Sequence, residues 1–314
     1  MSKRDLLNFR DLSGEEMEGI FELARELKGK QKQGVPHPLL PQKTLAMIFE
    51  KPSLRTRVTF EAGINQLGGH AIFLGSAEVG LGTRETPADC ARSLSRWVDL
   101  ITVRTFSHKT VEEMALYATV PVINALTDLS HPCQVLADCL TLKEHKGELA
   151  GLKVAFVGDG NNMVHSWIEA AEKLPLWFTA ACPRGYEPDT EIEDRARKSG
   201  ARVVVTHSVE EAVTGADVIY TDVWASMGQE KEFQRRARAF RDYQVNERVV
   251  SMAKKDAVVM HCLPAHRGQE ITHEVLESPQ CIAFDQAENR LHVQKAVMVW
   301  LLNGFKGPKF KGKK

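Results

Sequence analysis

From Thr44 onward, short apolar runs alternate with stretches of helical periodicity, and this alternation limits the fold more than any other feature of the chain. The runs are Leu45–Phe49, Ala71–Leu74, Leu100–Val103 and Pro121–Ala125, with helical stretches near Thr56–Leu67, Pro87–Val98 and Val111–Ala118 between them. Strands separated by helices are crossover units, which feed a mostly parallel sheet covered by helices. A polar stretch, Lys143–Gly151, interrupts the pattern. It restarts with Lys153–Val157, Trp177–Ala181, Arg202–Thr206, Val218–Thr221 and Ala257–Met260. The sequence therefore predicts an α/β fold of two doubly wound domains with mostly parallel sheets, residues 1–145 and 146–314, with the polar stretch as linker. Ahead of the first strand, Ser13–Glu16 has the spacing of a capping box, and Met17, Ile20, Ala24 and Leu27 follow at helical intervals. The last pattern, Ala287 to Leu302, reads as a helix, and the tail Lys306–Lys314 as a solvated basic end.

A chain of 314 residues has the length of two such domains. Its 41 Lys and Arg against 41 Asp and Glu leave no basic excess for a nucleic acid or a membrane surface, so any anion site has to be a local cluster of Arg and His. No window is long and apolar enough for a membrane span, and the first residues carry no apolar secretory signal. Cys90, Cys133, Cys139, Cys182, Cys262 and Cys281 are scattered without a CxxC pair. That usage fits reduced thiols in a cytoplasmic enzyme better than a disulfide framework or a structural zinc site.

Six segments carry chemistry, and all lie at or just beyond a predicted strand end. Ser53–Arg57 opens a helix, whose free N–H groups and positive dipole end suit a phosphate; Ser53 and Thr56 add hydroxyls and Arg55 a guanidinium. The bland alternative is an ordinary capped helix with solvated arginines. Arg104 closes a buried-looking strand. In His131–Gln134, His131 is a candidate donor to an oxyanion and Gln134 a candidate reader of an amide or carbamoyl group, against the alternative of a plain helix start. Gly158–Met163 resembles a dinucleotide fingerprint, but Met163 stands at the third glycine position, so a nicotinamide site is disfavoured and Asn162 reads as a polar group aimed into a cleft. Asp222 suits an ammonium group, and Ser226, Met227 and Gly228 a carboxylate, unless they form a plain surface loop. His261, Cys262 and His266 match no standard zinc spacing and lack a fourth ligand; Cys262 is either a nucleophile or a small buried hydrophobe. Ligands of open parallel sheets bind beyond the carboxyl ends of the strands, so the joint placement predicts one cleft between the domains.

Taken together, Ser53–Thr56, Arg104-Thr105, His131-Pro-Cys-Gln134, Asp222 with Ser226-Met-Gly228, and His261-Cys-Leu-Pro264 closely resemble the ornithine carbamoyltransferases, in order and spacing, from about Asn8 to Leu302. The resemblance implies an N-terminal carbamoyl phosphate domain and a C-terminal ornithine domain joined by interdomain helices. It also implies a last helix (about 287–303) packing back on the first domain, and a homotrimer or an assembly of trimers. By matching positions, Ser53, Leu54 through its backbone, Arg55 and Thr56 would hold the phosphate; Arg104 and His131, with Thr56, would polarise the carbonyl; Gln134 and the Leu263 carbonyl would hold the carbamoyl nitrogen, with Arg290 a further contact. Asn162, Asp222, Ser226 and Met227 would bind the ornithine backbone, and Cys262, counted with the catalytic group, would sit beside the reacting amine and the carbamoyl group. The implied reaction is direct carbamoyl transfer to L-ornithine, giving L-citrulline and phosphate in arginine metabolism, with no metal or other cofactor. Two positions depart from the family pattern: Leu54, where many members have Thr, and Gly80, where many have Gln. Rival readings are a transcarbamylase for putrescine or an N-acylated ornithine, and a catalytically silent ligand-binding homologue.

Overall fold

The computed structural model describes residues 3–225 and 232–304, so Ser226, Met227, Gly228 and the basic tail Lys306–Lys314 lie outside the described residues. The chain divides into two compact units: the described residues up to Leu140 with those from Asn289 on, and Thr141–Glu288.

The first unit runs α1 (Gly14–Lys32), β1 (Thr44–Phe49), α2 (Leu54–Gln66), β2 (His70–Gly75), α3 (Ser76–Val79), α4 (Pro87–Leu94), β3 (Leu100–Arg104), α5 (His108–Tyr117) and β4 (Val122–Leu126). Then α6 (Pro132–Lys146) carries the chain into the second unit. The predicted capping box of α1 forms: Ser13 Oγ accepts the Glu16 N–H at 3.2 Å and Glu16 Oε2 accepts the Ser13 N–H at 2.9 Å. All strands pair in parallel in the order β2-β1-β3-β4. Every residue of β3 is buried, as expected of a central parallel strand covered on both faces, whereas β2 at the edge is only partly covered.

The second unit continues with β5 (Lys153–Val157), α7 (Asn162–Lys173), β6 (Trp177–Ala181), α8 (Thr190–Lys198), β7 (Arg202–Thr206), α9 (Val209–Val213), β8 (Val218–Thr221), α10 (Phe233–Ala239), α11 (Glu247–Ser251), β9 (Val258–His261) and α12 (His273–Leu276). Its parallel sheet has the order β7-β6-β5-β8-β9. The final helix α13 (Ala283–Asn303) begins here and belongs to the first unit from Asn289 on. Phe156 and Tyr220, register partners on β5 and β8, stack with ring centroids 5.6 Å apart one residue before each strand ends. No described helix is long and apolar enough to cross a membrane.

Several element boundaries differ from expectation. Lys143–Lys146 of the expected linker are the last turn of α6. The helix expected to reach Val98 stops at Leu94, where the Ser95 hydroxyl bonds back to the Ala91 carbonyl at 2.7 Å and competes with further helix. The last helix starts at Ala283, four residues before its apolar periodicity begins, and β9 includes His261 as its final residue.

Candidate active site

Each sheet has one switch point, where successive strands leave in opposite directions: between β1 and β3 in the first unit, and between β5 and β8 in the second. A crevice opens beyond the strand ends at such a point. Arg104 ends β3, His131 and Gln134 follow β4, and Ser53 caps the helix after β1; in the second unit, Asp222 follows β8, His261 ends β9 and Asn162 opens α7 after β5.

In the first unit Ser53 is the N-cap of α2, its hydroxyl accepting the Thr56 N–H at 3.3 Å. Leu54 is the first helical residue, and its side chain is exposed, so it offers the site a backbone N–H and no side chain. Thr56 is buried; its hydroxyl accepts from Arg290 Nη2 at 3.1 Å, and Arg290 Nη1 donates to Gln134 Oε1. Arg290, Thr56 and Gln134, far apart in sequence, thus form one hydrogen-bonded row. His131 is 5 % exposed, and burial, reinforced by the charges of Arg290, Arg104 and Arg55, holds its imidazole pKa well below the ordinary value. It is therefore a neutral ring among three guanidiniums, able to donate one N–H without adding charge.

The surrounding loops are tied down by groups that sequence patterns do not reveal. Lys51, buried, pairs with Asp128 and lies 4.2 Å from the centre of the Phe106 ring, linking the loop after β1 to those after β3 and β4. The Thr105 hydroxyl pairs with Glu50. Asn124 Nδ2 on β4 donates to the Ser130 carbonyl at 3.2 Å, next to His131. A cavity of about 320 Å³, lined by Glu50, Lys51, Ser53, Arg57 and Ser76 among others, flanks the loop on the β2 side and does not reach Arg104, His131 or Gln134. Gly80 ends the single turn of α3 with φ 58°, and a Cβ there would lie 2.8 Å from the Arg84 side chain. The left-handed turn accounts for a glycine at this position.

In the second unit the Asp222 carboxylate uses both oxygens. Oδ2 accepts from Asn161 Nδ2 at 2.9 Å; Oδ1 accepts from the Cys262 thiol at 2.9 Å and from the Val223 N–H at 2.8 Å. The contact to Asp222 thus comes from Asn161, the N-cap of α7, and Asn162 is the first residue of that helix. The donor atoms of Asp222, His261 and Cys262 lie within 4.8 Å of one another, a grouping that suggests a metal. The histidine lone pair is committed, however: Nδ1 accepts the Leu263 N–H at 2.8 Å, so the ring proton sits on Nε2, facing Glu270 Oε1 at 3.1 Å. His261 and Glu270, both fully buried, instead brace Leu263, whose backbone is held at φ 58°.

Further bracing comes from Gln286, which donates to the Tyr220 hydroxyl at 2.9 Å and accepts the His261 N–H at 3.1 Å. Arg236 Nη1 joins Asp159 Oδ2 and the Trp224 carbonyl, each at 2.9 Å, which ties the turns after β5 and β8 together. Burial pushes the Asp159 carboxyl up to about 6 against the pull of Arg236. Gly160 lets the chain at 186–188 pass: a Cβ would meet Pro188 N at 2.3 Å. This glycine thus serves the chain's own packing, which weakens the dinucleotide reading further.

Residues 4–144 match the family model described as aspartate/ornithine carbamoyltransferase, carbamoyl-P binding domain, and residues 150–301 match the Asp/Orn binding domain of the same enzymes. The chain belongs to the aspartate/ornithine carbamoyltransferase family. It is 55 % identical over 301 residues to the ornithine carbamoyltransferase of Syntrophus aciditrophicus, covering 96 % of this chain and 100 % of that one. The anabolic ornithine carbamoyltransferase of Pyrococcus furiosus is 53 % identical over 310 residues, 98 % of each chain. The solved structure of the ornithine carbamoyltransferase from Pyrococcus furiosus superposes with a TM-score of 0.93 at 52 % identity, covering 97 % of this chain and 99 % of that one. Similarity to this family therefore spans both units and every described strand.

Proposed function

We infer that this member of the carbamoyltransferase family is an ornithine carbamoyltransferase: it transfers the carbamoyl group of carbamoyl phosphate to the side-chain amine of L-ornithine, giving L-citrulline and phosphate. The observation that carries the reading is the buried row Thr56–Arg290–Gln134 beside neutral His131 and Arg104, a set of donors suited to a phosphate and a polarised carbonyl. Ser53, Arg55, Thr56 and the Leu54 N–H bind the phosphate. Arg104, His131 and Thr56 take the carbonyl oxygen, and Gln134 and the Leu263 carbonyl take the carbamoyl nitrogen. Asn162, Asp222, Ser226 and Met227 bind the amino-acid end of ornithine, and Cys262, its proton held toward Asp222, orients the reacting amine.

The neutral amine adds its lone pair to the carbonyl carbon, and the oxygen gains negative charge in a tetrahedral intermediate. Collapse breaks the bond between the carbonyl carbon and the phosphate oxygen, and the amine proton passes to the departing phosphate. Carbamoyl phosphate is already activated, so positioning and cationic stabilisation suffice for the chemistry. The similarity to a relative named anabolic supports a role in arginine biosynthesis. The scattered thiols favour a cytoplasmic location. A homotrimer is the proposed assembly: Leu54 and Val58, one turn apart on α2, and Ile72 on the edge strand β2 leave apolar side chains exposed on the first unit.

Carbamoyl transfer to L-ornithine, putrescine, N-acetyl-L-ornithine and L-aspartate, measured in parallel, tests the reading. Strong preference for L-ornithine with citrulline as product is expected. Preference for another amine would discard the second-substrate assignment, and no turnover despite carbamoyl phosphate binding would make the protein a silent homologue.

A further inference from the structure

Gln134 and Asp138 lie four residues apart on one face of α6, and Gln134 Nε2 donates to Asp138 Oδ1 at 2.9 Å. An amide has two ends of nearly equal shape and opposite hydrogen-bonding character, so its partners decide which way it faces. Here both partners agree. Arg290 can only donate, and it meets the carbonyl end; the Asp138 carboxylate accepts, and it meets the NH2 end. Gln134, Asp138 and Arg290 are all buried, so a turned amide would lose two hydrogen bonds in a place where an unmet polar group is costly. Asp138 itself is fully buried, and its helix neighbours Val135, Leu136, Ala137, Cys139 and Leu140 are fully buried apolar residues, a setting in which an aliphatic side chain would pack more cheaply.

We propose that Asp138 is a positioning residue that locks the Gln134 carbonyl toward Arg290 and Thr56, and thereby makes the site prefer a carbamoyl phosphate over an acyl phosphate. The proposal rests on the reading of this row as the carbamoyl phosphate site. A carbonyl oxygen held this way keeps a lone pair for one further donor. The carbamoyl NH2 supplies that donor. Acetyl phosphate, nearly the same size, presents a methyl group there and leaves the oxygen without it. Asp138 touches neither ligand in this scheme and acts through Gln134.

The test compares the KM of carbamoyl phosphate with the inhibition constant of acetyl phosphate in the full-length protein. In Asp138→Leu the preference for the carbamoyl ligand is expected to fall about tenfold, the value of one hydrogen bond, while inorganic phosphate binds within about twofold of the wild type. Asp138→Asn is expected to keep the preference, because its Oδ1 accepts the same N–H. Asp138→Val, smaller and equally apolar, gives the same readout if the leucine variant does not fold. The proposal is overturned if a folded apolar variant keeps the wild-type preference, if it weakens both ligands and phosphate alike, or if Asp138→Asn loses as much as Asp138→Leu. A wild-type protein that binds no carbamoyl phosphate would instead sink the reading of the site on which the proposal stands.

Discussion

At the ends of β1, β3 and β4 the site groups are donors: guanidiniums, a neutral imidazole and the free N–H groups of a helix start. At the ends of β5, β8 and β9 the central group is a carboxylate, Asp222, which gathers a thiol, an amide and a backbone N–H. Both sets stand in the same place on the same kind of sheet, so the fold does not decide their chemistry. The residue types at the strand ends do. A neutral chain of 41 cationic and 41 anionic side chains has thus sorted its charges locally, one pole suited to a phosphate and the other to an ammonium group.

The largest expected effect breaks the donor side. Arg104→Ala should lower turnover by about 100- to 1,000-fold, the usual cost of an oxyanion donor. Citrulline formation under saturating substrates checks this, and near-normal turnover would remove Arg104 from the catalytic group. On the acceptor side, Asp222→Ala should raise the KM for L-ornithine at least about 30-fold, from the loss of roughly 2 kcal/mol in a charge-assisted pair, and leave carbamoyl phosphate binding unchanged. Equal losses for both substrates would erase the proposed division of labour.

A pH profile sharpens the contrast further. The attacking amine is mostly protonated below a pKa of about 10, so kcat/KM for L-ornithine should rise toward alkaline pH, about tenfold per unit while the amine limits the rate. His131 is held neutral by burial and three arginines, so no break should come from its ring near the ordinary imidazole value. Burial pushes the Asp159 carboxyl up to about 6, so a break near pH 6 that comes from this group should vanish in Asp159→Asn.

The smallest effect concerns stability. Lys295, buried in α13, donates to Gln31, Gln66 and His37 at 2.9, 2.9 and 3.1 Å, and desolvation lowers its pKa from 10.5 to about 8. The folded state then binds fewer protons than the unfolded chain between those values, so this group's contribution grows as pH rises from about 8 to 10.5 and is lost as pH falls back through about 8. Melting temperatures across that range should show the upward term in the wild type and lack it in Lys295→Met.

The strands of the second unit at 153–157, 177–181, 202–206 and 218–221 coincide with their apolar runs; central β5 and β8 are buried almost throughout, as a parallel strand covered on both faces has to be, whereas β7 at the edge stays partly exposed. Short helices such as α3, α9 and α12 escaped notice, since four or five residues hold too little of a helical period to be seen. Among the proposed site residues, Arg104, His131, Asp222 and Cys262 stand out in the sequence as polar groups where apolar runs stop. Asp138 was half legible: its spacing from Gln134 is that of helix-face neighbours, but nothing local says that a buried arginine stands on the other side of the amide. Arg236 and Glu270 carried no signal, since a charged residue on a polar stretch normally faces water.

By itself the sequence determined the α/β class, the parallel order of strand and helix, and the kinds of chemical group at the strand ends, because each follows from local periodicity and residue type. Tertiary structure alone decided that Arg290 meets Gln134 and Thr56, that His131 stays neutral, that the His261 lone pair is spent on Leu263, and that Asn161 rather than Asn162 meets Asp222. Those facts depend on burial and on partners far away in the chain, and a hydrogen bond or a shifted pKa exists only once folding has brought both groups out of water and within reach.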